Sequence, residues 1–365
     1  MVKSYLENRK QFVKYQSCDS EYKNIQCGVP QGSILGPLLF LLYVNDITHT
    51  TSLFEIILFA DDTTLLYSHP DIASRMNLIN KELYEISNWF KANKLSVNAS
   101  KTNYMMLGTS HLTNKYINVN VDCYNDDIDN VTDIEINNIN DDLPVKQNIS
   151  VILDDVSLER VSSTTFLGVI IDENLTWKNH IDAISKTISR NIGMLSKLKH
   201  YVPGHIMHSL YCTLVLPYIN YGNLIWGNTC KTYLDKIFRL QKWAIRTISN
   251  EHYRCHTGPL FKKHNILNVF DTFKLELGVF MYKHQQNLLP QIFSDYFRKH
   301  NQIHNYATRN AQNYSSHNAK KMFSDRAIRI SGPILWNSLD KNTKHSKTTK
   351  HFKNVFKSNL LAKYN

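Results

Sequence analysis

Cysteine is scarce and shows no close pairing: six residues, Cys18, Cys27, Cys123, Cys212, Cys230 and Cys255, are spread over 365 positions. A chain of this size does not need disulfide staples, so these thiols are read as reduced and the protein as intracellular. Long apolar runs are also missing. The longest, Ile34 to Val44, is interrupted by Gly36 and Pro37 and is about half of the ~20 residues a membrane span requires, so no transmembrane helix is expected. Lys3, Glu7, Arg9 and Lys10 near the start leave no apolar core for a signal peptide. What is present is 42% hydrophobic and 20% charged. That is enough to bury a sizeable core in two or three domains of ~150 residues, which argues against extended disorder and fibres.

Charge is divided unevenly along the chain. The formal total is +11, yet residues 1–185 carry 14 Lys and Arg against 24 Asp and Glu, a net of −10. Residues 186–365 carry 28 against 7, a net of +21. An acidic half joined to a strongly basic half points to a polyanionic partner.

Residues Tyr5 to Val13 are too mixed to assign. Tyr22 to Cys27 reads as a short strand running into a loop, Gly28-Val-Pro-Gln-Gly-Ser33. Pro37 suits a first helical turn and opens an apolar helix over about Leu38 to Ile47. Phe54 to Ala60 and Thr63 to Tyr67 read as strands two residues apart, with Asp61 and Asp62 at the tip of a hairpin. Met76, Leu78/Ile79, Leu83, Ile86 and Phe90 recur at helical intervals within 71–93. Asn103 to Leu107 reads as a strand. Residues 111–148 are acidic and Asn-rich and read as a solvated insertion. A hairpin is expected around Asp154-Asp155 and a strand over Thr165 to Ile171. Beyond Trp177 the pattern turns helical, over about 177–199, 205–220 and 233–249, with a domain boundary near 175 where the charge changes sign.

The Asp61-Asp62 pair is the sharpest chemical feature. Two adjacent carboxylates on a tight turn between buried strands are costly unless a cation or water compensates them. A hard divalent ion suits that donor set, and nucleotidyl transfer uses two Mg²⁺ ions ~4 Å apart, held by oxygen ligands on rigid elements. The plain alternative is an ordinary Asp-containing hairpin turn. Asp-Asp also occurs at 126–127, 141–142 and 154–155, but only the first copy has apolar strand on both sides, and the copy at 154–155 reads as a plain turn. Upstream, the Gly/Pro loop lets backbone approach a nucleotide or template, with Gln31 able to hydrogen-bond to base or sugar. The alternative there is a simple strand-to-helix connection.

In order and spacing, Gly28-Val-Pro-Gln-Gly-Ser-Ile-Leu-Gly-Pro-Leu-Leu-Phe40, Asn45-Asp-Ile47, Leu58-Phe-Ala-Asp-Asp-Thr63, Lys94-Leu-Ser-Val-Asn98 with Ser100-Lys-Thr102, and Phe166-Leu-Gly-Val169 with Leu175 and Trp177 resemble the palm motifs of reverse transcriptases. Those of non-LTR retrotransposons of the jockey type are especially similar. The resemblance continues through Leu216-Pro-Tyr218, Tyr221-Gly222, Leu240-Gln-Lys242, Ile245-Arg246, Trp336-Asn-Ser-Leu339, Phe352-Lys353 and Phe356-Lys357. It implies that Asp61 is a metal ligand and Asp62 its less indispensable neighbour, with Phe59 and Ala60 setting the turn. It implies that Gln31 and Gly32 line the nucleotide and template pocket, that Lys101 lies near the triphosphate as a proton donor, and that Phe166, Leu167 and Gly168 grip the primer end. The cofactor implied is Mg²⁺ or Mn²⁺; the partners implied are an RNA template, a DNA primer and deoxynucleoside triphosphates, with no membrane. Nucleus and cytoplasmic ribonucleoprotein are not distinguished.

One departure stands out. The family carries a further Asp on a strand upstream of the Gly-Val-Pro-Gln loop, whereas the only carboxylates there, Glu7, Asp19 and Glu21, lack an apolar strand context. An N-terminally truncated enzyme with an incomplete two-metal site and poor primer extension is therefore expected, with a non-catalytic nucleic-acid-binding remnant as the other reading. In the basic half, Arg239, Lys242 and Arg246 recur at helical spacing beside Trp243, a candidate contact to nucleic-acid backbone. His252, Cys255 and His256 with Cys230 lack the paired spacing of a zinc site. The expected architecture is α/β (α+β): a partial palm over 1–175 with an antiparallel sheet and packing helices, a helical thumb-like region over 176–250, and a basic extension over 251–365.

Overall fold

Short elements dominate the start of the chain, because residues 2–25 mix charged and apolar side chains without a sustained period. The computed structural model describes residues 2–25, 28–30, 32–108, 116–118, 147–303, 312–315 and 327–364. They fall into two units, Met1–Val161 and Ser162–Asn365.

In the first unit, helix α1 (Val2–Leu6) precedes four two-residue strands: β1 (Lys10–Gln11), β2 (Lys14–Tyr15), β3 (Cys18–Asp19) and β4 (Lys23–Asn24). β1 pairs with β4 and β2 with β3, both antiparallel, and all four are exposed. Helix α2 (Leu35–Val44) begins three residues earlier than Pro37 alone suggests and passes into a 3₁₀ turn, Asn45–His49. Proline is tolerated there because the first helical N–H groups have no intrahelical acceptor to reach. Strands β5 (Glu55–Phe59) and β6 (Asp62–Leu66) form an antiparallel hairpin. Helix α3 (Met76–Ala92) turns Ile79, Leu83 and Ile86 inward, as its period requires.

Beyond α3, β7 (Asn103–Tyr104) pairs in parallel with a later strand, β12 (Glu159–Arg160), and β8 (Tyr116–Asn118) with β9 (Gln147–Ile149). β10 (Ile152–Leu153) and β11 (Val156–Ser157) close a hairpin through Asp154 and Asp155, both left-handed at φ 52° and 62°. Asp is among the few residues that adopt two such positions in succession, so this Asp-Asp is the plain turn its setting suggests. Asp154 is tied to α3 by Lys91 at 2.6 Å and by a hydrogen bond from Ser87, and these two bonds hold its carboxyl below the usual carboxylate range. Ile79, Leu83, Leu153 and Leu158 form the small core, with Phe54, Leu65 and Val97 against it. The acidic stretch 111–148 lies outside the described residues except for the strand segments 116–118 and 147–148.

An antiparallel sheet is expected for this unit. Among the described residues the strands instead pair two by two, two of the pairs in parallel. Most of these strands are two or three residues long, too short to extend a ladder on both edges.

The second unit opens with β13 (Ser163–Phe166) and β14 (Val169–Asp172), antiparallel about Leu167 and Gly168. The single strand expected over 165–171 is thus a hairpin. Leu167 and Gly168 both take positive φ, 47° and 78°, which reverses the chain within two residues. Helices then follow: α4 (Lys178–Leu198), α5 (Gly204–Leu214), α6 (Leu216–Asn220), α7 (Asn223–Trp226), α8 (Lys231–Ser249), α9 (Gly258–Lys263), α10 (Val269–Gln285), α11 (His300–Ile303), α12 (Ile328–Ser338), α13 (Lys341–Lys344) and α14 (Thr349–Leu361). One helix is expected over 205–220; the break between α5 and α6 falls at Val215, two residues before Pro217, which has no N–H to continue the ladder.

Ile181, Ile188, Ile192 and Leu195 of α4 are fully buried in one core with Ile237, Ala244 and Ile245 of α8, and Val169 of β14 joins them. A second core gathers Tyr282, Trp336, Phe352 and Phe356 from α10, α12 and α14. No helix among the described residues is long and apolar enough to cross a membrane.

Candidate functional site

The hairpin of the first unit pairs Phe59 with Asp62, so its two-residue tip is Ala60-Asp61 and not Asp61-Asp62. Ala60 turns the chain at φ 52°, a conformation that costs an L-residue with a Cβ about 1 kcal/mol or more. Asp62 is consequently a strand residue and Asp61 alone projects from the tip. The strands are not buried on both faces. Glu55, Ile57 and Phe59 alternate to an exposed face, with Phe59 58% accessible, while Ile56 and Leu58 are half-buried. Asp61 and Asp62 are both exposed, so water compensates them, and the burial cost that singles them out in the sequence does not apply.

Exposed carboxylate oxygens are suitable donors for a hard divalent cation, which takes one or two carboxylates and completes its shell with water and phosphate oxygens. Residues 61 and 62 supply that much. Among the described residues no group of three or more His, Cys, Asp or Glu side chains could hold a metal, so no third acid joins them.

The Gly/Pro loop is held from several sides. Gly28 and Gly32 take φ 76° and 80°. The Ser33 hydroxyl donates to the Pro30 carbonyl at 2.7 Å and accepts from Gly36 N at 3.1 Å and from the Tyr5 hydroxyl at 2.5 Å. Arg9 Nη2 donates to the Gly28 carbonyl at 2.6 Å. Tyr5 and Arg9 are positioning residues that sequence spacing does not reveal, because their partners lie 28 and 19 residues away. Gln31 lies outside the described residues. Lys101 is exposed on a turn built on Asn98, whose carbonyl accepts from Lys101 N and Thr102 N, each at 3.1 Å. No hydrogen bond or ion pair joins Asp61, Asp62 and Lys101 to one another.

In the second unit, Phe166 and Leu167 are half-buried and Gly168 is exposed at the β13–β14 turn. The Tyr221 hydroxyl donates to the Leu167 carbonyl at 2.5 Å, and its ring lies 3.4 Å from where a Cβ on Gly168 would sit. Tyr221 thus pins the turn, a role its place in the Tyr221-Gly222 pair only hints at. Asp172 ends β14 and holds the turn that leads into α4, accepting from Thr176 N at 2.9 Å and Trp177 N at 2.7 Å.

Helix α8 buries Leu234, Ile237, Gln241, Ala244 and Ile245 and exposes Arg239 and Trp243, with Lys242 and Arg246 half-buried at the margins. The three cations differ in their commitments. Arg239 Nε donates to the Asp235 carbonyl at 3.3 Å, Lys242 Nζ lies 4.6 Å from the centre of the Phe238 ring, and Arg246 Nε donates to the Cys255 carbonyl at 2.8 Å. Gln241 is wholly buried and bonds the Leu267 carbonyl and Val269 N. Its place in Leu240-Gln-Lys242 is therefore architectural. On α4, Lys186 and Arg190 are exposed beside Ser185 and Ser189. The thiol of Cys255 meets the His256 carbonyl at 3.5 Å, and no metal cluster forms with His252 and Cys230.

Residues 1–171 match the family described as Reverse transcriptase (RNA-dependent DNA polymerase). The chain is 25% identical over 280 residues to the probable RNA-directed DNA polymerase from transposon X-element of Drosophila melanogaster, covering 74% of this chain and 27% of that protein. It is 26% identical over 279 residues to the corresponding protein from transposon BS of the same species, again covering 74% and 27%. The RNA-directed DNA polymerase from mobile element jockey of Drosophila funebris is 26% identical over 270 residues, 71% of this chain and 26% of that one. The chain therefore spans about a quarter of the length of the curated relatives it matches. No solved structure matches it.

Proposed function

We propose, on the premise that residues 1–171 belong to the reverse transcriptase family, that this chain is part of an RNA-directed DNA polymerase of a non-LTR retrotransposon. The reaction is transfer of a deoxynucleotidyl group to a primer 3′-hydroxyl on an RNA template. The observation that carries the reading is the exposed Asp61 at a two-residue hairpin tip within the matched segment.

In this reading residues 1–175 act as a partial palm, 176–250 as a thumb-like region and 251–365 as a basic extension. Asp61 holds a Mg²⁺ or Mn²⁺ ion with Asp62 beside it, and a bound ion of this kind supplies charge stabilisation to the transferring phosphate. The backbone of Gly28–Gly32 admits the nucleotide and template strand, with Gln31 at the pocket. Lys101, on its exposed turn, offers a proton to the pyrophosphate oxygen. Phe166, Leu167 and Gly168, pinned by Tyr221, hold the primer end, while Arg239 and Lys242 meet backbone phosphates.

The pair of carboxylates, with no third acid joining it among the described residues, supports a weaker activity for this chain by itself, since errors of ~1 Å in placing reacting groups cost ~100-fold in rate. It also favours a second reading, a nucleic-acid-binding remnant without catalysis. Two measurements test the assignment. Mn²⁺ added with primer-template is expected to broaden the amide resonances of residues 60–62, and Asp61→Ala is expected to abolish the broadening; an unaffected hairpin overturns the metal role. Primer extension on an RNA template is expected to be slow and lost in Asp61→Ala. Robust synthesis lost in that variant would retain the polymerase role and overturn the impairment.

A further inference from the structure

The outer face of α8 and the loop after it carry cations and exposed aromatic rings, which offer more than phosphate contact alone. Trp243 is 45% accessible in the middle of the helix, and no other described ring stacks on it. A large indole left half in water on an amphipathic helix is costly to expose, and no ring among the described residues covers it. Arg239 lies one turn before it, and Arg246 about one turn after it on the same face.

The chain does not leave the helix freely. Asn250 caps α8 in the left-handed region, Glu251 N bonds the Arg246 carbonyl at 3.0 Å, and Arg246 Nε reaches the Cys255 carbonyl. Loop 251–256 is thereby folded back on the last turn of the helix. On that loop Tyr253 is 66% accessible, with the Arg254 guanidinium 5.1 Å from its ring centre and the His252 ring at 4.4 Å. Residues 231–256 hold six Lys and Arg against Asp235 and Glu251.

Exposed rings set among cations match an unpaired polynucleotide, in which bases offer faces for stacking and phosphates lie within reach of the cations. A duplex hides its base faces and needs only the cations. An acidic peptide would satisfy the cations but leaves the rings unused.

We infer that Trp243 and Tyr253 are a stacking platform for the bases of single-stranded nucleic acid, flanked by Arg239 and Arg254 for its phosphates, with Arg246 as the positioning residue that fixes the loop. The inference deepens the nucleic-acid role proposed above and rests on it, but not on Asp61. The full chain is titrated with fluorescent single-stranded dT20 and rU20 and with a 20-base-pair duplex, with poly-glutamate as competitor.

Both single strands are expected to bind. Trp243→Ala and Tyr253→Ala are each expected to weaken single-strand binding about fivefold or more, from the contribution of one stacked base. Duplex binding should change less than about twofold, and Trp243→Phe should retain most of the affinity because a ring remains. Mn²⁺ broadening of residues 60–62 is read separately on the parent chain, so a failure of the polymerase reading is distinguishable from a failure of this one. Single-strand affinity unchanged in Trp243→Ala, an equal loss for the duplex, or displacement by poly-glutamate as effective as by unlabelled dT20 each overturns the platform. Preference for rU20 or for dT20 identifies which polymer it serves.

Discussion

Asp172 shows how a single side chain can organise the step from hairpin to helix. The residue is 7% accessible, and its two carboxylate oxygens accept from Thr176 N and Trp177 N in the turn that leads into α4. Asp172→Ala is expected to destabilise the chain by about 1–3 kcal/mol, the cost of leaving N–H groups without their acceptor, and Asp172→Asn by less, read from the denaturant midpoint. The sequence shows an acid before Leu175 and Trp177 but not that both its oxygens are used. At the other hairpin the reverse holds. The chemistry of Asp61 is legible as a carboxylate between two apolar strands, while its separation from Asp62 depends on the register that pairs Phe59 with Asp62. Register follows from cross-strand contacts, which a one-dimensional pattern records only to within a residue.

Helix against helix, glycine decides two opposite outcomes. Gly278 lies in α10 where α14 crosses it, and an added Cβ would sit 2.6 Å from Phe356 Cε1 and 2.9 Å from Cδ1. Phe356 is buried against the same core and cannot move aside. Gly278→Ala is therefore expected to destabilise by up to about 2 kcal/mol, because overpacking costs ~1–3 kcal/mol against the ~1 kcal/mol gained in helix propensity. Gly193 in α4 has nothing within 4 Å of its Cβ position, so Gly193→Ala is expected to stabilise by about 0.5–1 kcal/mol. Opposite shifts in thermal midpoint check the pair. Helix existence was legible here: the periodicity places α3, α4 and α8 within a few residues of their observed bounds, since amphipathic spacing is local. The proximity of α10 and α14 was not, as Gly278 and Phe356 are far apart in the chain.

Across the whole molecule, protons couple to folding through histidines of the second unit. Burial lowers the pKa of His180, His264 and His284 below the ordinary 6.5, and neighbouring His208 and Lys263 add to the effect at His264. The unfolded chain then binds more protons than the folded one as pH falls below about 6.5, so stability falls in the same direction. The denaturant midpoint is expected to be lower at pH 5.5 than at pH 7.5, and His264→Gln is expected to reduce that difference; a midpoint independent of pH in this range contradicts the coupling. The division of charge into an acidic half and a basic half was visible from composition alone. Which basic residues remain available was not: Arg246 and Lys236 are committed to Cys255 and Asp182, whereas Arg239 and Trp243 face outward.

By itself the sequence determined the family motifs, the helical periods, the Asp154 turn and the charge division, because each is written in neighbouring residues or in plain counts. Tertiary structure alone decided that Asp61 stands at the tip without Asp62, that Tyr221 pins Leu167, that Gln241 is architectural and that Trp243 lies open beside a folded-back loop. These depend on partners tens of residues away, Leu167 and Tyr221 by 54 and Gln241 and Leu267 by 26. Contacts over such distances form only when packing brings the elements together.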